Sequence, residues 1–411
     1  MKAETRRFSL GDKGLRPHAS VRKDQGWAEK ASGLRLREHG PESFSGIDSI
    51  IDAATLYDTY DISVNTPHPQ IMKGIGIRYL VTKQRLYKID YSAGAYSLTR
   101  IWTYDSRDSE TKLAPLGGGA WQFIDFDQTW MMVNGSATMF KASSQVELPI
   151  SRYDSTQVYV ENSVSINAGC QFQGRAVIGG FNNQNFYNAD WREFWEYWSQ
   201  KNNPGMQFQV GFDQNWVMWT MVGAADLLWL FYPELANQGV SSGSGYDSDN
   251  PIIFDMLKRG DSGFAVMPFQ GAVKDIRQMG GKVMVFGEDG SAELRPFVDP
   301  APSFGVWPAD VPGIANTGAV AGDKNMQALM DPEGNVWLIT PEETKNLGYK
   351  EFGAALLGED DVMVSFNPVE REFYFSNGFE SLVLTQRGMT QTDQAIITTM
   401  YDNGKVYGVT R

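Results

Sequence analysis

Residues 280–296, GGKVMVFGEDGSAELRP, decide the fold of this chain of 411 residues. An apolar run leads to a short turn ending at Gly290, and a second apolar run follows, as in two antiparallel strands joined by a tight turn. The pattern recurs at 326–340, MQALMDPEGNVWLIT, and at 369–388, VEREFYFSNGFESLVLTQRG. Asx-Gly pairs favour such turns because both turn positions need positive φ. They occur here at Asn134, Asp289, Asn377 and Asn403.

The turns recur at a regular spacing along the chain. Gly290, Gly334 and Gly378 follow one another in steps of 44 residues. A second motif, FDQTW at 126–130, is echoed by FDQNW at 212–216, close to two steps later. The same step from Gly135, together with Gly94, extends the set of candidate turn glycines to Gly94, Gly135, Gly179, Gly223, Gly290, Gly334 and Gly378.

A repeat of about 40–50 residues built from short strands is typical of a β-propeller blade. The predicted fold class is therefore all-β, a β-propeller of six or seven blades. Both counts stay open because the region around 183–261 is irregular. The predicted organisation is an extended N-terminal arm at 1–50 and a propeller body at 51–411, with an aromatic, partly helical insertion at about 183–261.

The insertion carries a dense aromatic cluster. Trp191, Phe194, Trp195 and Trp198 have the i, i+3, i+4, i+7 spacing of one helix face. Such a face is the buried side of an insertion or, since Trp is enriched at interfaces, a contact patch for a neighbouring subunit. A sugar-binding platform is the third interpretation. Trp191, Trp195 and Trp198 are therefore candidate subunit contacts.

Composition excludes several kinds of site. Cys170 is the only cysteine, which excludes an intrachain disulfide and a thiolate-rich metal site and indicates a small buried residue. All three histidines precede Pro69, and no phosphate-binding GxxxxGK[ST] motif is present. We therefore expect no catalytic residue, no metal site and no cofactor, and a protein that is not an enzyme.

The start of the chain predicts where the protein is made. No run of about 18 apolar residues exists, and MKAETRRFSLGDKG at 1–14 lacks the apolar stretch of a signal peptide. We expect synthesis in the cytoplasm and no membrane insertion.

Charge is distributed unevenly. Residues 1–40 carry a net charge of +5, so the remaining 371 residues carry −18. An acidic body does not favour nucleic-acid binding, although it can repel DNA that passes through it. In the arm, basic residues alternate with acids, which favours docking to an acidic partner or plain solvation over DNA binding. Arg35 and Arg37 are candidate partner contacts.

Paired carboxylates keep a glycosidase-like enzyme open as an alternative. The FDQTW motif retains only the Thr-Trp end of the sialidase repeat SxDxGxTW. Candidate acids are numerous, and no pair is singled out by spacing: Asp125, Asp127, Asp213, Asp226, Asp289, Glu293, Asp299, Asp360 and Asp361.

The arm resembles the opening of tail proteins of short-tailed bacteriophages. The resemblance lies in FSLGDKG at 8–14, GWAEKASG at 26–33 and LRLREHGPESFSG at 34–46. Further on, MPFQGAV at 267–273 and GKVMVFGEDG at 281–290 look like the strand and turn pattern of the same group. The group is the tail nozzle, also called the tail tubular or packaged-DNA-stabilising protein.

The resemblance implies a structural protein of the virion, assembled in the host cytoplasm. It implies a homo-oligomeric ring, usually a hexamer, that lies below the portal and adaptor proteins and contacts other tail proteins. Genome DNA would pass through this conduit, or be retained by it, without specific binding. A host-surface or glycan-binding propeller that serves in receptor binding is the main alternative.

Overall fold

A computed structural model provides the structure of the chain. It describes Leu15, Gln394 and the ranges 34–37, 40–43, 48–52, 55–56, 69–74, 77–82, 85–93, 95–103, 120–126, 129–135, 138–141, 158–161, 166–181, 214–219, 263–297, 304–358, 361–392, 396–402 and 405–410. Within these ranges no helix is long and apolar enough to cross a membrane.

Short antiparallel strands dominate the described residues. The first part of the chain contributes β1 (Leu34–Arg37) and β2 (Gly40–Ser43), which pair with each other, and then β3 (Asp48–Asp52). Sheet 1 contains β4 (Gln70–Gly74), β5 (Ile77–Val81), β6 (Arg85–Ser92) and β7 (Ala95–Thr103). Sheet 2 contains β8 (Gln122–Phe126), β9 (Thr129–Val133), β10 (Thr138–Lys141) and β11 (Val158–Glu161). Sheet 3 contains β12 (Ile166–Phe172), β13 (Arg175–Phe181), β14 (Trp216–Trp219) and β15 (Gly263–Val266).

The second half repeats this arrangement. Sheet 4 contains β16 (Val273–Met279), β17 (Lys282–Gly287), β18 (Ser291–Pro296) and β19 (Phe304–Pro308). Sheet 5 contains β20 (Val320–Gly322), β21 (Gln327–Met330), β22 (Val336–Ile339) and β23 (Thr344–Gly348), and the helix α1 (Lys350–Leu356) follows it. Sheet 6 contains β24 (Met363–Asn367), β25 (Glu372–Ser376), β26 (Ser381–Thr385) and β27 (Gly388–Thr392). Sheet 7 contains β28 (Ile396–Asp402), β29 (Lys405–Thr410) and the early strand β3.

The cores lie between neighbouring sheets. One apolar cluster joins sheets 3 and 4 around Trp219 and Phe304, whose rings meet edge to face with centroids 5.1 Å apart. Another joins sheets 5 and 6 around Met330 and Phe375. First strands of successive sheets touch one another, as β20 touches β24 and β28 touches β4. Antiparallel four-stranded units that pack face to face in chain order are a propeller arrangement, so the all-β propeller prediction is confirmed at this level.

The predicted number of six or seven regular blades is not confirmed. Five four-stranded sheets, sheets 1, 3, 4, 5 and 6, have side chains described in all four strands. Sheet 2 has described side chains only in β8 and β9, and sheet 7 has three strands. In sheet 7 the third position is filled by β3, which comes from the start of the chain and pairs with β29 in parallel. Five regular blades are therefore described in full, in every strand.

The 44-residue repeat is partly confirmed. Gly290, Gly334 and Gly378 all lie in the turn between the second and third strands of successive sheets, and Gly135 occupies the same turn in sheet 2. Three of them have positive φ: Gly135 at 85°, Gly334 at 87° and Gly378 at 83°. Gly179 instead lies within β13, and Gly223 lies outside the described residues.

The FDQTW echo does not mark equivalent positions. Trp130 lies in β9, the second strand of sheet 2, whereas Trp216 begins β14, the third strand of sheet 3. Part of the predicted insertion is also propeller core, because β14 pairs with β13 and β15. The rest of 183–261 lies outside the described residues.

Described parts of the predicted arm contact the propeller. Leu15 is buried in the cluster between sheets 5 and 6, and its N–H donates to the carbonyl of Met389 at 2.7 Å. Strand β1 touches β26 and β27 of sheet 6. These segments therefore lie against the outer edge of sheet 6.

Replacing Gly353 with alanine should destabilise the fold. An added Cβ would lie 2.0 Å from the carbonyl oxygen of Gly334, and its three nearest atoms are all backbone. Overpacking of this kind costs about 1–3 kcal/mol, and the gain in helix propensity offsets at most about 1 kcal/mol of it. Urea denaturation should show the loss. Gly358→Ala is the matched control, since its Cβ would meet no atom within 4 Å; equal midpoints for the two variants would contradict the close approach.

Candidate functional site

Polar side chains join each sheet to the next. We call these the junction residues: Gln70, Gln122, Asn167, Gln327, Asn316, Ser381 and Asp402. Each makes a hydrogen bond or an ion pair with an atom of a neighbouring sheet or of the loop leading into it. A buried polar side chain is costly unless it is paired, so each bond fixes how two sheets lie against each other.

Gln70 joins sheet 1 to sheet 2. Its Nε2 donates to the carbonyl of Trp121 at 3.1 Å, and the N–H of Trp121 donates to its Oε1. The indole N–H of Trp121 donates in turn to the carbonyl of Thr82 at 3.1 Å. The side-chain amide of Gln70 therefore donates to and accepts from the backbone of Trp121, as the backbone of a neighbouring strand would.

Gln122 joins three sheets. Its Oε1 accepts the N–H of Gly169 in sheet 3 at 2.9 Å, and its Nε2 donates to the carbonyl of Lys274 in sheet 4 at 3.2 Å. Asn167 adds a second bond between sheets 3 and 4, from its Nδ2 to the carbonyl of Val273 at 3.0 Å. Gln122 is 4% exposed, so these bonds are shielded from water.

A buried ion pair lies beside Gln122. Asp275 is fully buried, and Arg277 donates to its two oxygens at 2.7 and 3.1 Å. Burial raises the pKa of Asp275, although Arg277 and a hydrogen bond from Gln122 act in the opposite direction. Burial also raises the pKa of the nearby Cys170 thiol to about 12. A thiol of that pKa is protonated at neutral pH and unreactive. Cys170 was expected to be buried, and it is partly buried against the cluster between sheets 3 and 4.

Amide and hydroxyl groups join the later sheets. Gln327 Nε2 donates to the carbonyl of Gln278 in sheet 4 at 2.7 Å. Asn316 makes two bonds to the backbone of Val362, at 2.9 and 3.0 Å, where the chain enters sheet 6. Ser381 Oγ accepts the N–H of Ile396 at 2.8 Å and so ties sheet 6 to sheet 7.

Asp402 joins sheet 7 back to sheet 1. Its carboxylate accepts from Lys73 Nζ at 2.6 Å and from Arg78 at 2.7 Å. Arg78 also lies over the ring of Tyr407, 4.7 Å from its centroid. Burial alone would raise the pKa of Asp402, but the bonds from Lys73 and Arg78 outweigh it and the pKa lies below its ordinary value. The last sheet is thus held to the first by an ion pair.

Charges on the first strands balance. Four of the first strands, β4, β8, β16 and β28, carry charged residues, and the numbers of positive and negative charges are equal. The positive residues are Lys73, Lys274 and Arg277, and the negative residues are Asp125, Asp275 and Asp402. The other first strands, β12, β20 and β24, carry no charged residue. The acidic excess therefore lies elsewhere. In sheets 4, 5 and 6 the turns between the second and third strands carry Glu288, Asp289, Asp331, Glu333 and Glu380.

Two of the acids considered for hydrolysis have structural partners. Asp289 accepts the backbone N–H of Gly271 at 2.7 Å, and Glu293 pairs with Lys282 and Arg295 at 2.5 and 2.6 Å. Among the described residues, no group of three His, Cys, Asp or Glu side chains is placed to hold a metal ion.

The candidate contact residues are not brought to this site. Trp191, Trp195 and Trp198 lie outside the described residues, and only the backbone of Arg35 and Arg37, in β1, is described. The junction residues were not singled out in the sequence. Their one recurrent signal is a glutamine at the first position of a strand, as Gln70, Gln122 and Gln327 begin β4, β8 and β21.

Comparison with known proteins gives no family. No family model matches the chain, and no curated protein matches it. Solved structures with a similar course of the chain include the extracellular domain of BT4673 from B. thetaiotaomicron, at 11% identity and a TM-score of 0.48, with 90% of this chain and 42% of that one covered. PorZ of Porphyromonas gingivalis, a surface component of a type-IX secretion system, is 10% identical with a TM-score of 0.39, over 83% and 35%. A functionally unknown protein from Desulfotomaculum acetoxidans is 11% identical with a TM-score of 0.41, over 85% and 90%.

The chain spans about a third of PorZ and two fifths of the BT4673 domain. At these identities and scores the similarities carry no argument about function.

Proposed function

We propose that this chain is a structural component of a phage tail, a nozzle subunit without an active site of its own. Its copies form a homo-oligomeric ring, a hexamer, below the portal and adaptor proteins. The ring gives genome DNA a conduit or a retention gate and does not bind it specifically. The subunit would be assembled in the host cytoplasm and reside in the virion.

The observation that carries the proposal is the continuous series of junction residues. A conduit under load has to resist spreading, and a buried or partly buried polar bond between every two neighbouring sheets opposes sliding more specifically than apolar packing does. We propose that sheets 2 and 7 complete the same ring as the five regular blades, with Gln70 and Asp402 at the closing contacts.

The paired charges of the first strands fit a conduit that does not hold DNA. The charge of Lys73 is neutralised by Asp402, and that of Arg277 by Asp275, at short range. Neither cation is therefore available to bind a phosphate group of DNA. The acidic turns between second and third strands would give one face of each subunit a negative charge, suited to a basic surface on the adaptor or on a second tail protein.

Purified full-length protein should form annular oligomers. Negative-stain electron microscopy and native mass spectrometry, of the chain alone and with adaptor, should show rings with a hexamer mass. Two variants test the candidate subunit contacts. One replaces Trp191, Trp195 and Trp198 by alanine, and the other replaces Arg35 and Arg37 by alanine. Each should lower the fraction of protein in rings if the replaced residues are subunit contacts. A monomer under both conditions would overturn the nozzle proposal.

A receptor-binding propeller is the second candidate, and an exposed tyrosine favours it. Tyr91 is 60% exposed and offers the face of one aromatic ring to a sugar; its ring centroid lies 4.7 Å from that of Tyr96, with the two ring planes inclined at 48°. Glycan-array binding that Tyr91→Ala abolishes, in a protein that stays monomeric, would favour this function.

A further inference from the structure

A cavity of about 300 Å³ opens between sheets 5 and 6. Its inner wall is apolar and is formed by Met326, Leu338, Leu347, Phe373 and Leu384. Phe373 and Leu384 are buried, whereas the three cations that also line the cavity, Lys345, Arg371 and Arg387, are exposed. The cavity therefore has an apolar interior and a basic mouth, and its volume is at the lower end of small-molecule sites, about 300–1,000 Å³.

The three cations come from separate elements. Lys345 lies in β23, Arg371 in the turn between β24 and β25, and Arg387 in the turn between β26 and β27. Their convergence is therefore a product of how sheets 5 and 6 pack, since no short basic motif in the sequence brings them together.

These cations are unlike most others in the described ranges. Lys73, Arg78, Lys282 and Arg295 each have a carboxylate partner within 2.7 Å. None of the described acids forms an ion pair with Lys345, Arg371 or Arg387, and no acid lines the cavity. In a chain with a net charge of −13, three like charges around one mouth repel one another and favour an anionic ligand.

The mouth stays cationic at neutral pH. Among the described lining residues, Tyr349 is the one other titratable group, and burial raises its pKa to about 12, so the phenol is uncharged. Tyr349 and Arg371 both have left-handed backbone, with φ of 65° and 54°. Strained non-glycine residues are retained where the surrounding structure holds them, often at ligand sites.

We propose that this cavity binds an amphipathic anion: a short apolar chain or ring that ends in a carboxylate or phosphate group. The apolar part packs on Phe373 and Leu384, and the anionic head accepts hydrogen bonds from Arg371, Arg387 and Lys345. The proposal does not depend on the nozzle function, because it concerns sheets 5 and 6 of a single chain.

Hexyl phosphate and hexanoate are the probes, titrated into the full-length protein by calorimetry. We expect both to bind, and hexylammonium, hexanol and inorganic phosphate to bind at least about tenfold more weakly, since each lacks one of the two recognised parts. Vesicles of phosphatidylcholine with and without phosphatidic acid identify the source. Binding only to the vesicles with phosphatidic acid would identify the ligand as a lipid. Binding to neither kind of vesicle would identify it as a free amphipathic anion.

Two variants test the cations. Arg371→Asn keeps a residue that tolerates left-handed backbone, and Arg387→Gln keeps length; each should weaken hexyl phosphate binding about tenfold or more, as expected for one charge-assisted hydrogen bond. Arg100→Gln is the matched control, because Arg100 is an exposed cation in β7 outside the cavity. Equal binding of hexylammonium, absence of binding, or equal weakening by Arg100→Gln would each overturn the proposal.

Discussion

Replacing Gln122 with leucine should lower the free energy of unfolding by about 3 kcal/mol. The leucine fits the volume but removes the partner of the buried N–H of Gly169 and that of the partly buried carbonyl of Lys274. An unsatisfied buried group costs about 1–3 kcal/mol. The change also removes the hydrogen bond to the buried Asp275 carboxylate, so the charge there loses part of its stabilisation.

Urea denaturation at neutral pH measures this effect. Gln171→Leu is the matched control: it is the same change in the first strand β12, at a partly buried side chain that makes no hydrogen bond with the described residues. We expect it to change the free energy of unfolding by about 0.5 kcal/mol or less. If both variants unfold at the same urea concentration, the junction through Gln122 does not stabilise the fold.

Local pattern was enough to predict the hairpins of this protein. The turns at Gly135, Gly290, Gly334 and Gly378 are equivalent because a turn between two strands is fixed by residues a few positions apart. Gly179 shares the spacing but lies within β13, since glycine is also used where backbones approach closely: a Cβ there would lie 2.9 Å from the carbonyl oxygen of Trp216.

Contacts between sheets could not be predicted in the same way. The partners of Gln70, Gln122 and Asn167 lie 51, 152 and 106 residues away, and no local pattern specifies a pairing at that distance. The strand that completes sheet 7 could not be predicted for a related reason. Sheet 7 is completed by β3 from the start of the chain, and a count of successive hairpins does not reveal such a strand.

The cationic cavity was also beyond sequence reasoning. Lys345, Arg371 and Arg387 are isolated basic residues in an acidic body, and each looks like an ordinary surface charge. Their position around one cavity becomes visible only when the turns of sheets 5 and 6 are placed together.

Replacing Asp402 with asparagine should weaken the contact between sheets 7 and 1 by about 2 kcal/mol at pH 7. Asp402 is 4% exposed, and hydrogen bonds to a charged group contribute about 1.5–3 kcal/mol. Most of the loss comes through Arg78, whose side chain is 21% exposed, because Lys73 is 45% exposed and its pair is screened by water. Lys73→Gln should therefore cost less than about 1 kcal/mol.

The effect should depend on pH with a defined sign. The pKa of Asp402 in the folded protein lies below its ordinary value of 3.8, so the folded state binds this proton less readily than the unfolded chain does. The stabilisation is complete above pH 3.8 and is lost as the pH falls through the lowered pKa. Thermal midpoints of the native protein and Asp402→Asn should differ by a constant amount from pH 7 to about pH 5 and approach each other as the pH falls below 3.8. A difference that grew on acidification would show that the carboxylate is not held in its charged form by Lys73 and Arg78.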